Sequence, residues 1–197
     1  MTTTAATSQR HATRPELVRT ARLTGLLYLG LAITGMLGYL LVRNQLYVAD
    51  DAQATLNNLT NNPTLARLGI VLEMGVVITQ ALVALWFYRL FARVNTFAAG
   101  SLAAFGLINA TAILASAALL ATAFDVSQDP SLTVTGGTAA TTQLLYAVSG
   151  HLWMIGGIFF GLWLIPMGWL ALRSGWMPAA HRSSSAMRPL SMPRPLP

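Results

Sequence analysis

The chain has 197 residues, of which 54% are apolar and 9% are charged, whereas a soluble domain carries about a quarter charged residues. This composition excludes an ordinary soluble domain and predicts a membrane protein. The formal net charge is +6, but the arginines flank apolar runs and form no patch interleaved with aromatic residues. We therefore expect no nucleic acid partner, and expect the arginines to meet anionic lipid head groups at the inner face of the bilayer.

The chain contains no cysteine, which excludes disulfides, thiolate nucleophiles and cysteine-type zinc sites. Residues 1–22 are polar and predict a disordered cytoplasmic tail. The first apolar run is too long for a cleaved signal sequence and is interpreted as an uncleaved anchor. At the other end, residues 174–197 are rich in Ser, Pro and Arg and predict a second disordered cytoplasmic tail.

Four apolar runs come after the N-terminal tail, and each is long enough to cross about 30 Å of hydrocarbon as a helix. Together they predict an all-α transmembrane domain over residues 23–173. The predicted spans cover residues 23–42, 68–88, 97–124 and 144–172.

The two longer connections have different signatures. Residues 44–64 predict a short interfacial helix on the outer membrane surface, with Asp50 or Asp51 as its N-cap and the sequence Asn61-Asn62-Pro63 as its end. Residues 125–141 contain Pro130 and a pair of glycines and predict an irregular loop.

The arginines also predict the orientation of the spans. Ten lie in tails or loops that would share one side, and two lie on the other side, Arg43 and Arg67. Because short loops rich in arginine stay in the cytoplasm, both termini are predicted to be cytoplasmic. The ten are Arg10, Arg14, Arg19, Arg22, Arg89, Arg93, Arg173, Arg182, Arg188 and Arg194.

Polar residues within or bordering the spans are the candidate functional residues, because a polar group in hydrocarbon needs a partner or a wet cavity. Glu73 and Asn109 each lie sixteen residues from an inner arginine, which corresponds to about 24 Å of helix. Arg67 and His151 each lie twenty-two residues away, or about 33 Å. One interpretation is an outward-opening vestibule with Arg67 and His151 at its rim and Glu73 and Asn109 at its floor. The other is a set of interhelical hydrogen bonds.

Small residues at a spacing of four predict close helix packing. Gly157 and Gly161 form a GxxxG pattern in the fourth span, and Thr34 and Gly38 form a similar pair in the first. These patterns leave a homo-oligomer open.

No sequence motif for a phosphate loop, a nucleophile elbow, a dinucleotide site or a zinc helix is present. We therefore predict no catalytic residues, no metal site and no cofactor. The favoured function is a non-enzymatic accessory or small-solute-handling bundle, and the alternative is a membrane-embedded enzyme that acts on lipid or isoprenoid groups.

Several short motifs are similar to those of a bacterial membrane-protein family, the domain of unknown function 4386, over residues 20–178. They are Arg22-Leu23-Thr24-Gly25-Leu26-Leu27-Tyr28, Arg67-Leu68-Gly69-Ile70, Tyr88-Arg89-Leu90 with Val94-Asn95, and Gly161 followed by Arg173-Ser174-Gly175-Trp176-Met177-Pro178. The resemblance implies an uncharacterised multi-pass protein of the bacterial inner membrane and supplies no catalytic residues. It also implies a further apolar helix after Pro178, where this chain instead continues as a basic, proline-rich tail.

Overall fold

The computed structural model describes residues 14–134 and 136–175, and this part of the chain contains helices and no strand. The predicted all-α fold is confirmed. The helices are α1 (Arg14–Gly35), a π-helical segment (Met36–Val42), α2 (Arg43–Leu46), α3 (Ala52–Asn61), α4 (Pro63–Phe91), α5 (Thr96–Gln128), a 3-10 turn (Pro130–Leu132) and α6 (Thr138–Arg173).

Four helices are long and apolar enough to cross a membrane: Val18–Leu46, Pro63–Phe91, Thr96–Gln128 and Thr138–Arg173. They confirm the prediction of four membrane-spanning helices, and each helix extends beyond its predicted span. The extra residues at the start of α6 are mostly polar, and those at the start of α4 include Thr64 and Arg67, so hydropathy alone does not mark these two segments. Pro63 begins α4 without the loss of a helical hydrogen bond, because the backbone N–H at the first helical position has no acceptor within the helix.

The first span also begins before the predicted border. Helix α1 starts at Arg14, within the segment predicted to be a disordered tail. Glu16 in its first turn suits the positive end of the helix dipole. The rest of that predicted tail, residues 1–13, and most of the predicted C-terminal tail, residues 176–197, lie outside the described residues.

Helix α5 lies at the centre of the packing, in contact with α4 on one side and α6 on the other, while α1 packs against α4. We call the end of the bundle that carries α3 and residues 129–134 the loop end. The opposite end carries Arg22, Arg89, Arg93 and Arg173, and we call it the arginine-rich end.

The predicted short helix in the first long connection is confirmed as α3. The side chain of Asp51 caps it by accepting a hydrogen bond from the backbone N–H of Ala54 at 2.8 Å, an interaction that stabilises a helix by about 1 kcal/mol. Leu59 of α3 is fully buried and packs with Val42 and Leu46. Helix α3 is therefore part of the core at the loop end.

The first span does not end at Val42 as predicted. It passes through a π-helical segment, Met36–Val42, and continues as α2 to Leu46. A π-helical turn contains more residues than an α-helical turn and therefore rotates the next part of the helix, and such turns are frequent at functional sites. Here the next residue is Arg43.

Candidate functional site

Arg43 is the central residue of the candidate site. The sequence assigns it to the outer boundary of the first span, but only 8% of the residue is exposed. That assignment is corrected: the π-helical segment and α2 carry the side chain into the bundle. An arginine inside a membrane-spanning bundle is costly unless it is paired, so its partners define the site.

Glu73 of α4 is the acidic partner of Arg43. Its Oε1 lies 3.8 Å from Nη1 of Arg43, an ion pair without a hydrogen bond. The same carboxylate accepts hydrogen bonds from Nε1 of Trp153 at 2.9 Å and from Oγ of Ser116 at 3.0 Å. Both carboxylate oxygens are thus held by donors from α5 and α6.

Two serine hydroxyls connect the cation to the anion. Nη1 of Arg43 donates to Oγ of Ser149 at 3.0 Å, and the hydroxyls of Ser149 and Ser116 lie 2.7 Å apart. Because Ser116 donates its one hydrogen to Glu73, Ser149 must donate to Ser116. The hydrogen bonds therefore run in one direction from guanidinium to carboxylate, and such a chain is polarised cooperatively.

The network draws one or more residues from each of the four spans. Arg43 comes from the first span, Glu73 from α4, Ser116 from α5, and Ser149 and Trp153 from α6. The geometry therefore fixes the rotation of all four helices at one level of the bundle.

Three tyrosine rings surround the guanidinium of Arg43. Its central carbon lies 5.5 Å from the ring centroid of Tyr39, 5.9 Å from that of Tyr47 and 5.6 Å from that of Tyr146. Tyr47 and Tyr146 are stacked on each other at 5.8 Å. Ring faces attract a cation, so they stabilise the charge of Arg43 where water is scarce.

Gly150 makes room for Arg43 against α6. A Cβ atom at this position would lie 3.1 Å from Nη2 of Arg43. That nitrogen donates to the backbone carbonyl of Tyr146, one turn earlier in α6. The absence of a side chain at Gly150 leaves this carbonyl accessible, since a helical side chain covers the turn that precedes it.

A groove of about 260 Å³ lies beside the network. Arg43 and the three tyrosines line it, together with Asn44, Ala147, Gly150, His151 and Met154. A smaller cavity touches both Arg43 and Glu73 and has a volume of about 10 Å³, which is about the space of one water molecule. The site can therefore offer a guanidinium and polar groups to a small molecule.

The four predicted vestibule residues do not converge on one place. Glu73 is in the network, and His151 is exposed at the groove. Arg67 is exposed elsewhere, with its guanidinium carbon 5.3 Å from the ring centroid of Phe124. Of the predicted rim residues, His151 lines this groove and Arg67 does not.

Asn109 lies deeper than predicted. Glu73 meets Ser116, which is seven residues further along α5 than Asn109, or about 10 Å of helix. Asn109 is buried instead against α6, where its Oδ1 lies 3.0 Å from the position of a Cβ on Gly156. The equal depth expected for Glu73 and Asn109 is therefore wrong.

The predicted packing glycines are placed on the outside of the bundle. A Cβ at Gly157 or Gly161 would meet no atom within 4 Å, so within one chain these two do not mediate helix contact. The close contacts of α6 are at Gly150 and Gly156. Packing of Gly157 and Gly161 against a second molecule stays a prediction.

Reasoning from the sequence missed Arg43, although one signal was present. Tyr39, Arg43 and Tyr47 are spaced by four residues, which places both rings beside the guanidinium if the helix continues past Val42. Among residues 14–134 and 136–175, no group of three or more His, Cys, Asp or Glu could hold a metal ion.

A comparison with protein-family models gives a match over residues 23–180 to the domain of unknown function DUF4386. The chain belongs to the DUF4386 family. Comparisons with curated proteins and with solved structures found no match to this chain. This DUF4386 chain is thus a multi-helix membrane protein, and its candidate functional site is the network around Arg43.

Proposed function

We propose that the protein is a non-enzymatic bundle that handles a small solute, and that this solute is an anion bound in the groove beside Arg43. One observation carries the proposal: Arg43 lines the groove, and its guanidinium faces Glu73 at 3.8 Å without a hydrogen bond. A solute carboxylate or phosphate would compete with Glu73 for the same cation.

The chemistry of the groove supports an anion. Guanidinium nitrogens form paired, charge-assisted hydrogen bonds to carboxylates and phosphates. Asn44 and His151 add polar groups, while Tyr39, Tyr47 and Met154 offer apolar surface. A volume of about 260 Å³ is slightly below the range typical of drug-sized ligands, so the solute should be small.

The test is a thermal-shift and calorimetric binding assay on the purified protein with acetate, succinate, inorganic phosphate and glycerol 3-phosphate, and with glycerol as the neutral control. We expect one or more of the anions to bind and glycerol not to bind. Arg43→Gln should abolish binding, and Arg67→Gln is the matched control, because Arg67 lies outside the groove. The absence of binding by any anion, or equal binding by Arg43→Gln, would contradict the proposal.

Glu73→Gln gives a second test with the opposite sign. The amide keeps the shape of the side chain but removes the charge that competes for Arg43, so the anion should bind more tightly. Weaker anion binding by Glu73→Gln would mean that the carboxylate assists the solute, and would overturn the proposal of an anion.

We further propose that the protein lies in the bacterial inner membrane with the arginine-rich end and both termini in the cytoplasm, since arginine-rich ends stay inside. Alkaline phosphatase fused at Asn95 should be inactive, and the same reporter at Gly137 should be active, because the enzyme works only in the periplasm. Activity at Asn95 would refute this orientation.

A further inference from the structure

A second groove lies at the arginine-rich end, far from the Arg43 network. It has a volume of about 440 Å³ and lies between the first turns of α1 and the last turns of α4. Three arginines line it, Arg19 from α1 with Arg89 and Arg93 from the end of α4 and the connection after it. One acidic residue, Glu16, shares the wall.

The positions of these arginines favour an anion with several oxygen atoms. Arg89 and Arg93 are four residues apart, and Arg19 approaches from the other helix. Even with Glu16 present, the lining carries an excess of positive charge. Guanidinium groups that approach from two sides suit a phosphate, because a phosphate accepts paired hydrogen bonds in more than one direction.

The rest of the lining indicates that the phosphate belongs to a lipid. Trp86 and Leu23 lie on the wall next to the arginines, and Leu90 lies at its buried side. Leu23 is exposed on the outer surface of the bundle, where an acyl chain would pack. A tryptophan beside arginines at the end of a span is typical of the head-group level of a bilayer.

We propose that this groove is a binding site for the head group of one anionic phospholipid, held by Arg19, Arg89 and Arg93. The site is separate from the Arg43 groove and does not depend on the function proposed for it. It differs from a general attraction of arginines to the membrane in that it requires particular arginines and one bound lipid.

Native mass spectrometry of the full chain in detergent tests the site. The probes are palmitoyl-oleoyl phosphatidylglycerol, the zwitterionic phosphatidylcholine with the same chains, and glycerol 3-phosphate as the soluble source of the same phosphate chemistry. We expect one molecule of phosphatidylglycerol to bind with a clearly higher affinity than phosphatidylcholine or glycerol 3-phosphate.

Arginine variants distinguish a specific binding site from a general electrostatic attraction of the lipid to this end of the bundle. Arg89→Gln and Arg19→Gln should each weaken binding of the first phosphatidylglycerol by roughly tenfold, as the loss of one charge-assisted interaction predicts. Arg22→Gln is the matched control, because Arg22 is an exposed arginine of α1 at the same end that does not line the groove. It should change binding by less than about twofold.

Three results would overturn the proposal. If Arg22→Gln and Arg89→Gln lose the same affinity for phosphatidylglycerol, the lipid is attracted by the general positive charge of this end and not by a specific site. Equal binding of the two phospholipids would remove the role of charge, and glycerol 3-phosphate binding as tightly as phosphatidylglycerol would assign the groove to a soluble phosphate compound.

Discussion

Glu73 and Gln80 lie seven residues apart on the same face of α4, and both are buried, with 3% and 0% of their surface exposed. Glu73 has hydrogen bonds from two helices and a cation nearby. Neither amide atom of Gln80 has a hydrogen-bond partner among the described residues. Two buried polar residues on one face of α4 thus differ in the hydrogen bonds that they make within the bundle.

The surroundings of Glu73 are polar, whereas those of Gln80 are mostly apolar. Near Glu73, hydroxyl, indole and guanidinium groups complete one network. Near Gln80, α4 and α5 come close at Gly106, where a Cβ would lie 2.9 Å from Cβ of Ala84, and the core towards the arginine-rich end is built on apolar residues around Trp163. The polar network therefore lies towards the loop end, and Gln80 lies among apolar residues towards the arginine-rich end.

The largest effect is expected for Glu73→Leu. Removal of one member of a buried ion pair leaves the other charge unpaired, which typically costs about 3–5 kcal/mol. Glu73→Gln also leaves the charge of Arg43 without its acidic partner, but it should cost less than Glu73→Leu, because its amide oxygen can accept from Trp153 and its amide nitrogen can donate to Ser116. Thermal unfolding in detergent measures both variants. If Glu73→Leu melts at or above the wild-type temperature, the network does not stabilise the bundle.

A smaller effect of opposite sign is expected for Gln80→Met. An unsatisfied buried polar group costs about 1–3 kcal/mol, and Met has nearly the same shape without the amide. The variant should therefore melt at a higher temperature than wild type in the same assay. A lower melting temperature would mean that Gln80 is hydrogen-bonded, and would remove the contrast with Glu73.

The sequence predicts the architecture well because apolar runs and helix caps are local properties. The four spans and the cap at Asp51 depend on neighbouring residues alone. The site is harder because it depends on helix rotation and offset. Arg43 is buried through a π-helical segment that no apolar pattern marks. The depth of Asn109 is counted from Arg93, which lies in the connection before α5 and not in a helix. The count therefore applies a helical rise to residues that are not helical.

The smallest effect is expected for Arg67→Gln, which compares an exposed arginine with the buried Arg43 at the same end of the bundle. Arg67 lies over the ring of Phe124, and an exposed cation–π contact is worth about 0.5–1 kcal/mol. The loss in stability should stay within that range, because water and head groups can solvate the charge in wild type and nothing charged is left buried in the variant. A double-mutant cycle with Phe124→Leu isolates the contact, since each single variant removes it. A coupling energy as large as the loss for Glu73→Leu would mean that Arg67 is as structurally important as Arg43, and that the distinction between buried and exposed arginines does not hold at this end.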